Sequence, residues 1–539
     1  MRGTSPFTER SCTIAWEGHL GVPTLFMNTG TIEIGFKINV CFRLHIVTRV
    51  CSMFRFGLKN MRRLRNIEPI EIRPITILVG RNSSGKSTFL RTFPLIRQSL
   101  MTRTSSPILW YGDLVDFGDY ASVLSDGQEN GKISFSFGLD EVKLPRTPYF
   151  RMYEISPTQE KLGAVDIELF IAPDEGKVRL ESFTLNYEMG AAKSEVLLDN
   201  IGNISKILHN GVDLTKWLET VTVSLTLGSM FPDVTIRPKK KDTEIFLYDD
   251  RMWCVPIFMN LIKGHVGKRI SDQSFVKFAT SFLALQDLSE ASLLEFERNA
   301  SNRSFRSFLS SIHGGNKNNL KEQIQSLFYV ARVIRYMPAI FSTLRNIMGS
   351  TLYIGPMRAR SERYYRYQDL AVSEIDPDGK NFPMFLNALT NTQREDFSQW
   401  VYDRFGYGVE VKELSGHISI NLKVGNYTTN IVDNGYGISQ VLPVLGQIWW
   451  ASRGSSRRSL PPIRRADSAI LVIEQPELHL HPAHQALIAD AIVSERSDAA
   501  SGTPLQFIVE THSEALINSS WSIDRTREGG RRRRPGSNF

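Results

Sequence analysis

The sequence predicts an α/β fold, and three stretches carry that expectation. Ile75-Thr76-Ile77-Leu78-Val79, Ala469-Ile470-Leu471-Val472-Ile473 and Gln506-Phe507-Ile508-Val509 are short apolar runs rich in β-branched residues. Runs of this length without polar alternation fit strands covered on both faces. Each stops at a glycine or a cluster of polar residues, and apolar residues at helical spacing follow the first two.

Bulk properties narrow the function. The chain of 539 residues allows two to four domains and a large core. Hydrophobic residues at 42% and charged residues at 22% suit a soluble globular protein. No apolar run reaches the ~20 residues of a membrane helix, and the start shows no secretory pattern. Four cysteines, Cys12, Cys41, Cys51 and Cys254, have no metal-ligand spacing. A cytoplasmic location without structural disulfides is expected. The net charge of +8 invites a nucleic-acid partner, but its distribution weakens that reading. Residues 1–52 hold five Lys/Arg against three Glu, and residues 525–539 six Arg against one Glu, which leaves +1 for the body. The run Arg531–Arg534 is expected to be a solvated tail.

The organisation follows composition. Residues 1–52 show no period that joins them to the rest and are expected to be an extension. From Phe54 the chain alternates, with Phe54, Phe56 and Leu58 apolar, as in a half-covered strand. Residues 53–124 contain the first motif. Residues 125–350 are an inserted region of short strands and helices, with helical spacing from Leu320 to Met348. Residues 351–520 return to β and α/β patterns, including a hairpin turn at Gly425-Asn426. Residues 521–539 are expected to be a disordered basic tail, in which Trp521–Phe539 has the look of a truncated or frame-shifted end. There are no sustained heptads and no repeat.

The first motif is Gly80-Arg81-Asn82-Ser83-Ser84-Gly85-Lys86-Ser87, followed by Thr88, which matches G-x-x-x-x-G-K-S between a strand and a helix. Glycines allow backbone N–H groups to curl round a phosphate. Lys86 offers a point charge, the Ser87 hydroxyl can ligate Mg²⁺, and the helix N-terminus attracts the same anion. These features predict ATP binding. Pro94 is expected to end or kink the helix. The second motif is Glu474-Gln475-Pro476-Glu477, at the strand end where a metal-facing carboxylate belongs. A helix is expected from Pro482. His479 and His481 are expected to serve loop packing rather than a metal. The third motif is Glu510-Thr511-His512-Ser513, in which His512 is a candidate phosphate sensor or water-positioning group. The fourth is Asp433-Asn434-Gly435-Tyr436-Gly437-Ile438-Ser439-Gln440, a glycine-rich turn leading into a helix, a second anion-binding end.

In this order the motifs resemble the ATPase head of the ABC/SMC-related group, as in prokaryotic AAA-annotated proteins of the overcoming-lysogenisation-defect (OLD) type. The resemblance implies a P-loop NTPase fold with an ABC-type ATPase head. That fold has a mixed sheet with helices on both faces, an antiparallel β subdomain and an inserted, mostly helical region. It makes Gly80–Ser87 the Walker A loop, with Thr88 beside it. Gly437, Ser439 and Gln440 then belong to the signature loop, Glu474 is the Walker B metal ligand beside Ser87, and His512 is the switch histidine. It also implies a homodimer in which Ser439 of one subunit faces the nucleotide held by Lys86 of the other. Phe89–Ser99, Trp110–Gly118 and Tyr353–Arg358 are similar to ATPases of the Septu and some retron anti-phage systems, which implies an HNH nuclease partner. One position departs from the wider group. Where an Asp-Glu pair is usual, this chain has Glu474-Gln475, and an amide is no general base. Slow hydrolysis follows, with Glu477 the one close carboxylate able to substitute. The alternatives are a DNA-binding repair clamp, an OLD-type nuclease without its C-terminal domain, and a transporter ATPase.

Overall fold

The three apolar runs become neighbouring strands. In the computed structural model they lie in a five-stranded parallel sheet, ordered Thr24–Met27, Ile75–Gly80, Leu505–Glu510, Ala469–Glu474, Thr351–Ile354. The structure describes residues 24–27, 54–127, 131–144, 161–174, 176–187, 192–239, 253–267, 270–285, 287–300, 302–313, 318–368, 372, 374–453, 469–497 and 505–518. Most of the expected N-terminal extension, with Cys12, Cys41 and Cys51, and the expected basic tail lie outside them. Among the described residues Thr24–Met27 is an edge strand, and it lies in the stretch expected to be an extension without a period.

The lack of polar alternation in these strands has a direct cause. Leu78, Ile470, Val472 and Ile508 belong to one apolar core, together with Phe89, Leu90 and Phe93 of the helix Lys86–Met101. Ile77, Val79, Leu471, Ile473, Phe507 and Val509 belong to a second core. That core also contains Leu442 and Leu445 of the helix Tyr436–Ser452, and Ile488 and Ile492 of the helix Pro482–Ser497. Side chains alternate between faces along a strand, so helices on both faces require apolar residues at every position.

The helix Lys86–Met101 does not end at Pro94. Phe93, Pro94, Leu95 and Ile96 are all buried, so packing on this helix outweighs the missing backbone bond. Beyond it lies an eight-stranded antiparallel sheet, which begins with Phe54–Met61 and Leu64–Ile72 and continues through Ile133–Leu139 into strands of the inserted region. Phe54, Phe56 and Leu58 are buried, and the Phe56 ring lies 5.4 Å from Phe89 and 4.8 Å from Phe93. The stretch 125–350 divides in two. Its strands occupy residues 133–238, and its helices run from Cys254 to Gly349. The helix expected over Leu320–Met348 spans Asn318–Gly349 and includes Pro338. The hairpin at Gly425-Asn426 joins His417–Val424 to Tyr427–Asn430, with Val424 opposite Tyr427 and Gly425 at φ 57°. Among the described residues no helix is long and apolar enough to cross a membrane.

Candidate functional site

The C-terminal ends of parallel strands collect polar groups along one sheet edge. Here that edge carries Gly80, Glu510 and Glu474 on three successive strands. The strand that is last in the chain lies between the other two, so Glu510 is closer to the Gly80 loop than Glu474 is. Glu474 and Glu510 are register partners, one strand spacing or about 4.8 Å apart at the backbone.

The Gly80–Ser87 loop turns tightly. Ser83 has φ 59° and Gly85 has φ 100°. A Cβ on Gly85 would meet Leu64 Cδ2 at 2.4 Å, so both backbone and space call for glycine. Gly85 caps the helix without a side-chain hydrogen bond, and the first turn holds no acidic residue. The first amides of the helix are therefore free to meet an anion. Lys86 is buried, and its Nζ donates to the carbonyls of Gly80 at 3.0 Å and Arg81 at 2.8 Å. Burial draws the Lys86 pKa down, and Glu510, 4.0 Å away, opposes that. Ser87 Oγ donates to Glu510 Oε1 at 2.9 Å. Burial pushes the Glu510 carboxyl above its ordinary range, against the bond from Ser87.

The loop opens on a cleft of about 470 Å³, whose walls include Arg63, Lys86, Ser87, Gln475, Glu510 and His512. This volume lies within the roughly 300–1,000 Å³ of small-ligand clefts. Asn82, Ser83, Gly85 and Thr88 also line it. Arg62 and Arg63 come from the turn between Phe54–Met61 and Leu64–Ile72. Arg63 Nη1 donates to Ser83 O at 2.7 Å and ties the turn to the loop. The sequence expectation assigned no role to Arg62 or Arg63, and named Glu510 only as the start of the motif around His512. Glu510 carried a signal, since it ends an apolar run as Glu474 does; the two arginines carried none, since a long-range sheet pairing brings them here.

Glu474 and Glu477 are not part of the cleft wall. Glu474 is 1% exposed and takes a two-pronged bond from Arg91, Nε to Oε1 at 2.7 Å and Nη2 to Oε2 at 2.8 Å. Tyr353 Oη donates to the same carboxylate at 2.8 Å. Arg358 Nη2 donates to the Glu474 carbonyl at 3.0 Å, and burial lowers the Arg358 pKa to about 10 despite Glu477 and Glu474 nearby. Glu477 Oε1 accepts the His512 backbone N–H at 2.7 Å and so holds the His512 loop. Its Oε2 is buried without a hydrogen-bond partner, as Glu510 Oε2 is, but Glu477 is not part of the cleft wall.

Gln475 has φ 43°, and its N–H donates to the Glu510 carbonyl at 2.8 Å. Among the described residues no group of His, Cys, Asp and Glu has a metal-binding arrangement. His479 packs edge-on to Tyr436 at 5.1 Å, and His481 Nδ1 accepts from Ala483 N at 3.3 Å.

The segment Asp433–Gln440 lies apart from the cleft walls. Asp433 pairs with Arg363, 3.0 Å from its Nη1. The helix starts at Tyr436 after Gly435 at φ 86°, and Ser439 sits in its first turn with Oγ donating to Tyr436 O at 2.7 Å. Gln440 Nε2 donates to Ala359 O at 3.2 Å. A Cβ on Gly437 would stand 2.6 Å from His479 O, so the segment packs directly on the loop after Glu477.

A glycine-rich loop at a strand end, a helix N-terminus with a buried lysine, and acidic ends on the next two strands are the marks of a P-loop ATPase. Comparison agrees at the family level. Residues 53–517 match the model described as AAA ATPase domain, and the chain belongs to that family. A solved structure that aligns with it is the SMC head domain from Thermotoga maritima, at 10% identity over 87% of this chain and 92% of that one, with a TM-score of 0.28. No curated protein matches the chain. Family membership implies a nucleotide and typically Mg²⁺. The residues fit such a ligand, because Ser84 Oγ and Glu510 Oε2 are buried without hydrogen-bond partners beside a lysine and open helix amides.

Proposed function

We propose that the protein is an ATP-controlled switch that hydrolyses its nucleotide slowly and acts as a dimer governing a partner nuclease in anti-phage defence. Lys86 and the amides of Gly80–Ser87 hold the phosphates in this reading, and Ser87 faces the cation. Bound Mg²⁺ supplies neutralisation of charge on the phosphate oxygens. The observation that carries slow turnover is the composition of the cleft wall. Gln475 and His512 line it, its one carboxylate, Glu510, is bonded to Ser87, and Glu474 and Glu477 stand outside it, bonded to Arg91 and to the His512 amide. An amide orients water but takes no proton from it at neutral pH.

The dimer reading is supported by the separation of Ser439 from the cleft of its own chain and by exposed Val432 and Tyr436 beside it. A nucleotide shared between Lys86 of one copy and Ser439 of the other makes association depend on ATP. The nuclease partner rests on the likeness of Phe89–Ser99, Trp110–Gly118 and Tyr353–Arg358 to the Septu and retron ATPases.

Two experiments test the proposal. Purified protein is expected to turn over ATP at well below about one per second, the low end of ordinary enzymes. A faster rate that Glu477→Gln leaves unchanged overturns the slow switch. Capture from the native host with ATP is expected to recover a nuclease with the wild type and lose it with Lys86→Ala. Recovery of membrane proteins alone points to a transporter instead.

A further inference from the structure

We propose that Glu510, and not Glu474, is the carboxylate this chain turns toward the metal of a bound Mg–nucleotide, while Glu474 is an anchor that fixes the neighbouring strand to the loop helix. The inference rests on the nucleotide-binding reading above and names a residue for the cation side of that site.

Three observations carry it. The first is position. Glu510 ends the strand adjacent to the Gly80 strand and lines the cleft, whereas Glu474 ends the next strand out and is absent from the cleft walls. The second is the Ser87 hydroxyl. Its proton is already given to Glu510 Oε1 at 2.9 Å. A hydroxyl with its proton so committed keeps its lone pairs for another partner, so this bond prepares Ser87 to ligate a cation. The third is unmet bonding capacity. Glu510 Oε2 is buried and has no hydrogen-bond partner, although the residue is 2% exposed. A buried carboxylate oxygen without a partner, on the wall of a polar cleft, awaits a ligand.

Glu474 offers the opposite picture. Both of its oxygens accept from the Arg91 fork and one also accepts from Tyr353. Reaching a metal beside Ser87 would require leaving a guanidinium and a phenol behind. Mg²⁺ is commonly held by one or two carboxylates together with substrate phosphates and water, so Ser87 and Glu510 suffice on the protein side.

The test is equilibrium binding of a non-hydrolysable ATP analogue, with Mg²⁺ and with EDTA, to wild type, Glu510→Gln and Glu474→Gln. Glu510→Gln keeps an acceptor for Ser87 and should fold. It is expected to lose roughly 10–100-fold in affinity with Mg²⁺, the scale seen when metal-site groups are altered, and to match wild type in EDTA. Glu474→Gln is expected to keep the Mg²⁺ enhancement and to lower the thermal midpoint. Glu510→Cys is expected to bind the analogue better with Cd²⁺ than with Mg²⁺, since thiolate prefers soft ions; a merely structural role would not move that preference. Retention of the full Mg²⁺ enhancement by Glu510→Gln, or its loss in Glu474→Gln alone, overturns the proposal. Failure of wild type to bind the analogue in either condition overturns the nucleotide-binding reading itself.

Discussion

Glu510 and Glu474 are the same residue type at the same register position on adjacent parallel strands, yet their surroundings differ. Glu510 faces a cleft, shares one oxygen with Ser87 and has no partner for the other. Glu474 is enclosed by Arg91, Tyr353 and the strand it ends. A carboxylate left short of partners beside an opening is arranged for a ligand, whereas one whose oxygens are both bonded is arranged for rigidity. Chemical type and strand position are therefore poor guides to role; the neighbours that fill the lone pairs decide it.

Four outcomes break or sharpen this contrast. The largest belongs to the enclosed carboxylate. Glu474→Ala leaves Arg91 and Tyr353 without their acceptor and is expected to cost about 3 kcal/mol, the low end for breaking a buried pair with one partner partly exposed. Denaturant unfolding of the nucleotide-free protein measures it, and a loss below about 0.5 kcal/mol, the size of an ordinary surface substitution, would remove the anchoring role.

Next is the lysine on the open side. Lys86→Ala is expected to weaken ATP binding by roughly 10–100-fold, from the loss of charge-assisted hydrogen bonds to phosphate. Calorimetric titration reads this directly, and unchanged affinity would empty the cleft of its assigned ligand.

A gain is expected at the wall between the two carboxylates. Gln475→Glu places a general base beside His512 and should raise single-turnover hydrolysis by at least about tenfold, below the full 10²–10⁴ range of such catalysis because the site did not form around it. No increase would mean that the amide is not what limits turnover.

The smallest effect is conformational. Gly85→Ala puts a side chain at φ 100° against Leu64 and should cost about 1–2 kcal/mol. Thermal unfolding tests it, and a stability change under about 0.5 kcal/mol would show that the loop relaxes freely.

Much of this was legible in the chain. Gly80–Ser87 stood out because its residue types have few other uses between a strand and a helix. The apolar runs at 75–79, 469–473 and 506–509 announced strands covered on both faces, and the two cores on either side of them explain why. Pro94 does not end the helix, because the buried packing around Phe93 outweighs a local rule about backbone bonding.

The sequence by itself determined the local pieces: a phosphate loop, strands ending in Glu474 and Glu510, an amide at position 475 and a polar loop at His512. Each depends on residue types within a few positions of one another. The tertiary structure decided which pieces meet. It inserted the last strand between the first two, brought Arg63 onto the loop from a hairpin, and paired Arg91 with Glu474 across 383 positions. Those choices follow from sheet order and long-range packing, in which contacts far apart in the chain compete for one buried edge, and no short window of sequence records which of them wins.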